Sequence, residues 1–163
     1  MTASEYITAV AAAMASDDTL VAWCVSQFGA APVIYEGYQD EAAALPAISV
    51  MTMSGHDRAD NQRDITKGLM IGFGIEKSGT ETIETTKNVG GTDYTVSRIK
   101  HIGFHLAETF REYGENAIFR ARIGQSLSIE HAADPDVRPP LFVSYSAVEL
   151  KELKTTRRRL PGV

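Results

Sequence analysis

Four histidines and one cysteine bound the metal and nucleophile chemistry open to this chain. His101 and His105 are four residues apart, a spacing that on one helix lets two imidazoles share a divalent metal. A metalloprotease helix needs glutamate directly after the first histidine, and Ile102 stands there instead. With no cysteine pair and no second histidine pair to complete a zinc set, packing is the expected role of both. The stretch 55–66, GHDRADNQRDIT, gathers His56, Asp57, Arg58, Asp60, Arg63 and Asp64. Its carboxylates suit a cation, but it lacks the glycine and terminal glutamate of an EF-hand loop, so a solvated loop is expected. Ser126, His131 and Asp134 make a triad only on paper, because no nucleophile elbow frames the serine. Gly72-Phe73-Gly74 is followed by no GxxxxGK and opens no helix, so it is not a phosphate loop. Cys24 lies among Val21, Trp23, Val25 and Phe28 and reads as a buried thiol. No catalytic residue, cofactor or metal site is expected.

The elements around these residues point to a sheet packed on a helix. The stretch Val96 to Tyr113 has Ile99, Ile102, Leu106, Phe110 and Tyr113 at offsets of three and four, one stripe of a 3.6-residue helix. Lys100, His101, Glu108, Arg111 and Glu112 fall on its other side, Ser97 is placed to cap it and Gly114 to end it. Upstream, residues 4–15 carry Tyr6, Ile7, Val10, Ala11 and Met14 at helical spacing. After Ser16-Asp17-Asp18 a second helix runs through Leu20, Val21, Cys24, Val25 and Phe28 to Gly29. Residues 32–36, 45–54, 68–77, 125–131 and 141–153 read as strands from β-branched content and alternation. In 68–77, Leu69, Ile71, Phe73 and Ile75 alternate with Gly68, Met70, Gly72 and Gly74, giving one bulky face and one nearly bare face. The bare face invites close approach of another backbone. Residues 78–95 are rich in threonine and glycine and read as a long excursion, a β-hairpin arm turning at Asn88 to Gly91. Residues 115–123 are expected to add a short helical turn. The expected fold is α+β: a mixed or antiparallel sheet against a central amphipathic helix, with an N-terminal helical segment. One domain, 1–153, carries projecting loops at about 55–66 and 78–95, and 154–163 form a basic tail with Arg157, Arg158 and Arg159.

At 163 residues one domain is the expectation, and a net charge of -5 argues against a generic phosphate-binding surface. A start with Glu5 and no basic n-region is unlike a signal peptide, and no run approaches the ~20 apolar residues of a membrane span. One cysteine closes no internal disulfide, so a cytosol-like compartment is expected.

The order of these signals resembles a known family. A helical N-terminus is followed by VIYEG, a polar connector, the proline-led LPAISVMTM, a loop and a strand, then RIKHIGFHLAETF and late strands. This layout, from about Asp17 to Leu153, is similar to the phage tail-terminator or tail-completion proteins. The resemblance implies a virion structural protein at the head-proximal end of the tail, assembled in the host cytoplasm. It implies a homohexameric ring that caps the tail tube, stops its polymerisation and offers a surface to the head–tail connector. DNA would pass through the lumen without specific binding, and no membrane is involved. No active site carries over. Candidate interface residues are His56, Asp57, Arg58, Asp60, Arg63, Gly72, Gly74, Lys87, Arg157, Arg158 and Arg159. The alternatives are a neighbouring neck or tail part, such as a head–tail stopper or tube-like subunit, or a small cytosolic ligand-binding domain or enzyme.

Overall fold

The computed structural model describes residues 2–37, 44–53, 58–60, 64–123, 126–133 and 138–153. Helix α1 (Ala3–Ala15) is opened by Thr2, whose hydroxyl accepts from the Glu5 amide while Glu5 reaches back to the Thr2 amide. This reciprocal pair satisfies two of the amides that every helix start leaves without a partner. Helix α2 (Asp18–Phe28) begins at Asp17, which accepts from the Leu20 amide, and ends at Gly29 in the left-handed region. Tyr6, Val10, Ala11 and Met14 of α1 and Leu20 and Cys24 of α2 face the core, while Val25 turns outward. Burial also pushes the Cys24 thiol up to about 12, where it stays protonated and inert at neutral pH.

Strands β1 (Val33–Glu36), β2 (Ala47–Thr52), β3 (Arg58–Asp60), β4 (Asp64–Glu76), β7 (Ser126–Ala133) and β8 (Leu141–Leu153) form one mixed sheet. Its order is β1-β2-β4-β8-β7, with β3 pairing the start of β4. Only β1 and β2 run parallel; the other pairs are antiparallel. Ile48 and Val50 of β2, Leu69, Ile71, Phe73 and Ile75 of β4, and Val148 and Leu150 of β8 are fully buried on the face that meets the helices. The expected α+β architecture, with N-terminal helices and a helix across a sheet, is therefore what the chain adopts.

The central helix is not where its stripe predicted. Helix α3 spans Ile102–Ala121, and residues 92–101 belong to a strand, β6 (Thr92–His101), paired antiparallel with β5 (Thr80–Val89). Val96 and Ile99 have the helical spacing but also the β-branched shape that suits a strand, and pairing with the threonine-rich 80–89 segment decides for the strand. Ile99 is accordingly exposed, Ser97 lies in the strand, and His101 precedes α3 without a side-chain cap. Gly114 does not end the helix. It sits two-thirds along it, where an added Cβ would lie 2.2 Å from the Phe73 ring. Gly103 is crowded in the same way by Phe142. The buried face of α3 is thus built from small residues, Gly103, Ala107, Gly114 and Ala117, around Phe110 and Ile118. Leu106 and Tyr113 are only partly buried beside them. Residues 115–121, expected as a separate turn, continue the same helix.

Two further features concern the flanks. Residues 58–60 pair with 64–66 as a short antiparallel ladder within the segment expected as an open loop. In β8 the face carrying Phe142, Ser144, Ser146, Val148 and Leu150 meets the helices, so Leu141, Val143, Tyr145 and Ala147 lie on the outer side.

Candidate interaction surface

The most exposed regular structure is the β5–β6 hairpin. Each strand has ten residues, every one of them exposed, and the strands stay in register from Thr80↔His101 to Val89↔Thr92. At about 3.4 Å per residue the arm is about 34 Å long. Gly90 and Gly91, both with positive φ, form the two-residue turn that closes such a hairpin without splaying its strands. Asn88 holds that turn from both sides: its amide donates to Asp93 at 2.7 Å and its oxygen accepts from the Gly91 amide at 3.2 Å.

Directly paired residues share a face. One face of the arm therefore carries Ile83, Val89, Tyr94 and Val96, interleaved with Lys87, Arg98 and Lys100. Val89 is 65% exposed, Tyr94 56% and Val96 50%. The opposite face carries Thr82, Glu84, Thr86, Thr95, Ser97 and Ile99. A two-stranded ribbon standing alone in water is marginally stable, and this one shows a row of large apolar side chains to solvent. Such a feature calls for a cover.

The arm is joined to the body without a linker. β6 ends at His101 and α3 begins at Ile102, whose amide donates to the Gly79 carbonyl at 3.2 Å. The first orphan amide of the helix is thus satisfied by the base of the arm, which ties the arm's direction to α3. Beside this junction lies a groove of about 720 Å³. Ile83, Phe104, Ala107 and Phe142 give it an apolar floor, and Arg98, Lys100, His101 and His105 give it a basic wall.

The sheet face away from the helices is mostly covered: Ala47, Ser49, Gly68, Gly72 and Gly74 on it are buried, and Met51, Met70, Val143, Tyr145 and Ala147 half-buried. Register places Ala47, Ser49 and Met51 of β2, Gly68, Met70, Gly72 and Gly74 of β4, and Val143, Tyr145 and Ala147 of β8 on it. Helices α1 and α3 pack against the strands and α2 packs on α3, all sharing one core with the inner sheet face. Gly72 lies under Tyr145, whose ring would be 3.0 Å from an added Cβ. A neighbouring strand of the same chain therefore roofs part of the bare stripe.

Beneath the helix a charged network is buried. Arg111 is only 4% exposed. Its guanidinium donates to Ser144 at 3.0 Å, to Glu115 at 2.8 Å and to Glu108 at 2.8 Å. Ser144 also donates to Glu108 at 3.0 Å, and Ser146 donates to Glu115 at 2.7 Å. His131 Nδ1 stands 3.4 Å from Glu115. Burial pushes the Glu108 carboxyl up, but the hydrogen bonds from Arg111 and Ser144 outweigh it and hold the group below its ordinary range. Arg111 is likewise held above its ordinary value: burial opposes its charge, and the two carboxylates outweigh that. The sequence reading set Glu108 and Arg111 on the solvent side of the helix; the inward serines of β8 draw Arg111 under it instead. Ser144 and Ser146 tie these helix side chains to β8, so the evident work of the set is to lock α3 onto that strand. A second charged pair, Arg120 to Asp17 at 2.7 and 2.8 Å, ties the last turn of α3 to the start of α2.

The sequence-predicted residues are scattered over these features. Gly72 and Gly74 lie on the outer sheet face, Lys87 pairs across the arm with Tyr94, and Arg58 and Asp60 belong to β3. His56, Asp57, Arg63, Arg157, Arg158 and Arg159 lie outside the described residues. His101 and His105 do not share a helix face, because His101 ends β6 and its ring stands 5.9 Å from that of Phe142. Asp134, the paper triad's third member, also lies outside the described residues. Among the described residues no three His, Cys, Asp or Glu side chains are grouped to hold a metal ion. None of the described helices is long and apolar enough to cross a membrane by itself. The groove at the arm's root went unnoticed in the sequence, since its walls come from three separate segments.

The chain matches no protein-family model and no curated protein sequence.

Proposed function

We propose that this chain is a virion structural protein, a phage tail terminator that forms a ring on the end of the tail tube. The ring halts tube polymerisation and presents the surface that joins the head. The reading rests on the resemblance in segment order, and one structural observation carries it further. That observation is the β5–β6 arm, a long hairpin with its apolar side chains turned to solvent and its base anchored in α3. An ordered apolar projection of this kind suits contact with another copy or with the tube. The partners in this reading are further copies of the chain, six in all as the resemblance implies, the tail tube protein and the head–tail connector. The acidic balance of -5 suits a lumen through which DNA slides without capture.

The test is assembly. Purified protein, alone at high concentration and mixed with tail tubes, is examined by native mass spectrometry and electron microscopy. A single ring, free or seated at one tube end, supports the terminator. Long cylinders of the protein alone point to a tube subunit instead. A monomer that never binds tubes refutes both.

A further inference from the structure

We propose that the groove at the root of the arm takes an acidic, extended segment of a partner protein, which adds to β6 as a third strand. This goes beyond the ring reading and holds whether or not the chain forms a ring.

The groove follows a strand edge. Arg98, Ile99, Lys100 and His101 line it as four consecutive residues. Successive side chains of a strand point to opposite faces, so a cleft that meets all four lies along the side of β6 rather than over one face. That side is open. Among the described residues β6 pairs with β5 and with no other strand. The Val89–Thr92 pair closes a two-residue turn and exchanges both of its hydrogen bonds, and every second pair back along the ladder does the same. Arg98 and Lys100 therefore bond inward to β5. Ser97 and Ile99 turn their amides and carbonyls outward, where nothing among the described residues pairs with them. Such a row of free groups is what an added strand pairs with.

The side chains along that edge set what the strand must carry. Arg98 and Lys100 have no ion-pair partner among the described residues. Glu81 stands across the ladder from Lys100, but it does not line the groove. The carboxylate that does, Glu108, is already taken by Arg111 at 2.8 Å and by Ser144 at 3.0 Å. The groove thus offers two fixed cations beside an apolar floor of Ile83, Phe104 and Phe142, and Phe104 is 43% exposed. On the other face of β6, Ile99 is 64% exposed and the His101 ring stands 5.9 Å from that of Phe142. Directly paired residues share a face, so a strand laid beside β6 repeats this alternation. It places carboxylates opposite Arg98 and Lys100 and an apolar residue opposite Ile99, over about 14 Å of chain.

Charge turns away the nearer occupants. The apolar face of a second copy's arm carries Lys87, Arg98 and Lys100 against Glu81, and residues 154–163 carry Arg157, Arg158 and Arg159, so both bring the wrong sign. Nucleic acid has the right sign. Two cations are few for a phosphate track on a chain of net charge -5, and a sugar-phosphate backbone lacks the alternating donors and acceptors that continue a ladder.

Fluorescence polarisation on the full chain tests this. The probe is a dye-labelled peptide alternating glutamate with valine and phenylalanine. Saturable binding is expected. Turning two cross-strand attractions into repulsions should weaken it about tenfold, whether lysine replaces the glutamates of the probe or the protein carries Arg98→Glu with Lys100→Glu. Both positions are exposed, and circular dichroism checks that the variant is folded. N-methylation of one alternate set of peptide amides should abolish binding and methylation of the other set should leave it, because one edge of the probe strand meets β6. No saturation at millimolar peptide overturns the proposal. So does equal binding of the lysine peptide, or equal effects of the two methylated sets. Oligothymidylate that displaces the peptide and binds more tightly overturns it in favour of nucleic acid. Self-association that the peptide competes away and that Arg98→Glu with Lys100→Glu dissolves puts a second copy in the groove and overturns it as well.

Discussion

Gly114→Ala separates what helix propensity says from what packing says. In an exposed helix interior the change stabilises by about 1 kcal/mol, because glycine loses more backbone entropy than alanine on folding. Here the new Cβ would stand 2.2 Å from Phe73 Cε1 and 2.5 Å from its Cζ. The ring must withdraw by more than an ångström to restore ordinary contact, and it has little room. Phe73 is fully buried, and its ring meets Phe110 edge-on at a centroid distance of 5.3 Å. Overpacking of this kind costs about 1–3 kcal/mol, and a confined ring belongs in the upper half of that range. The net expectation is a loss of about 1–2 kcal/mol, or a fall of about 3–6 °C in Tm for a chain of this size. Thermal and urea unfolding followed by circular dichroism measure it. Phe73→Leu, which vacates the space, should cost less in the Gly114→Ala background than in the native one, with a coupling of about 0.5–3 kcal/mol. A Gly114→Ala protein more stable than the parent, or a double mutant whose costs simply add, would refute the close helix–sheet approach.

Joining Thr82 to Ile99 through an Asn-Gly turn removes the distal arm but keeps its base paired. Stability should change by less than about 1 kcal/mol, since only exposed residues are lost, while rings and tube binding disappear in native mass spectrometry. Arg111→Met leaves Glu108 and Glu115 facing each other under the helix, so a loss of about 3–5 kcal/mol is expected in urea unfolding. Adding Glu108→Gln and Glu115→Gln should restore part of it. Acidification should weaken the fold through Asp17 and Glu108. The hydrogen bond from Arg120, with those of the Leu20 and Thr19 amides, holds Asp17 below its ordinary range against the opposing effect of burial; Glu108 is also depressed. Groups depressed by folding stabilise fully above about pH 5 and lose that contribution as pH falls through their lower folded values. The urea midpoint should therefore drop steadily below about pH 4 and drop less steeply in Asp17→Asn; identical slopes would exclude Asp17 from the effect.

Much of the fold was legible because it follows from local rules. The capping chemistry at Asp17 and Gly29, the stripe of α1, and the alternation of Leu69, Ile71, Phe73 and Ile75 each dictate an element within a few residues of themselves. The arm was legible as a hairpin from its threonines and Gly90-Gly91, though not its full length. The candidate surface was not visible: the arm's apolar face appears only once register pairs Ile83, Val89, Tyr94 and Val96, and the groove only once α3 and β8 close around its root.

What sequence alone determined is the inventory of elements and the face most of them bury, since periodicity and end chemistry are properties of short stretches. What only the tertiary structure decided is where β6 ends and α3 begins, because residues 96–101 carry a helical stripe yet the β5 ladder claims them. It also decided that Gly114 is a packing site rather than a helix end, because Phe73 needs the space. And it decided that Arg111 goes under the helix, because Ser144 on a distant strand accepts from it and Ser146 donates to its partner Glu115. Each of these depends on a partner far along the chain, and no local pattern announces a partner that distance hides.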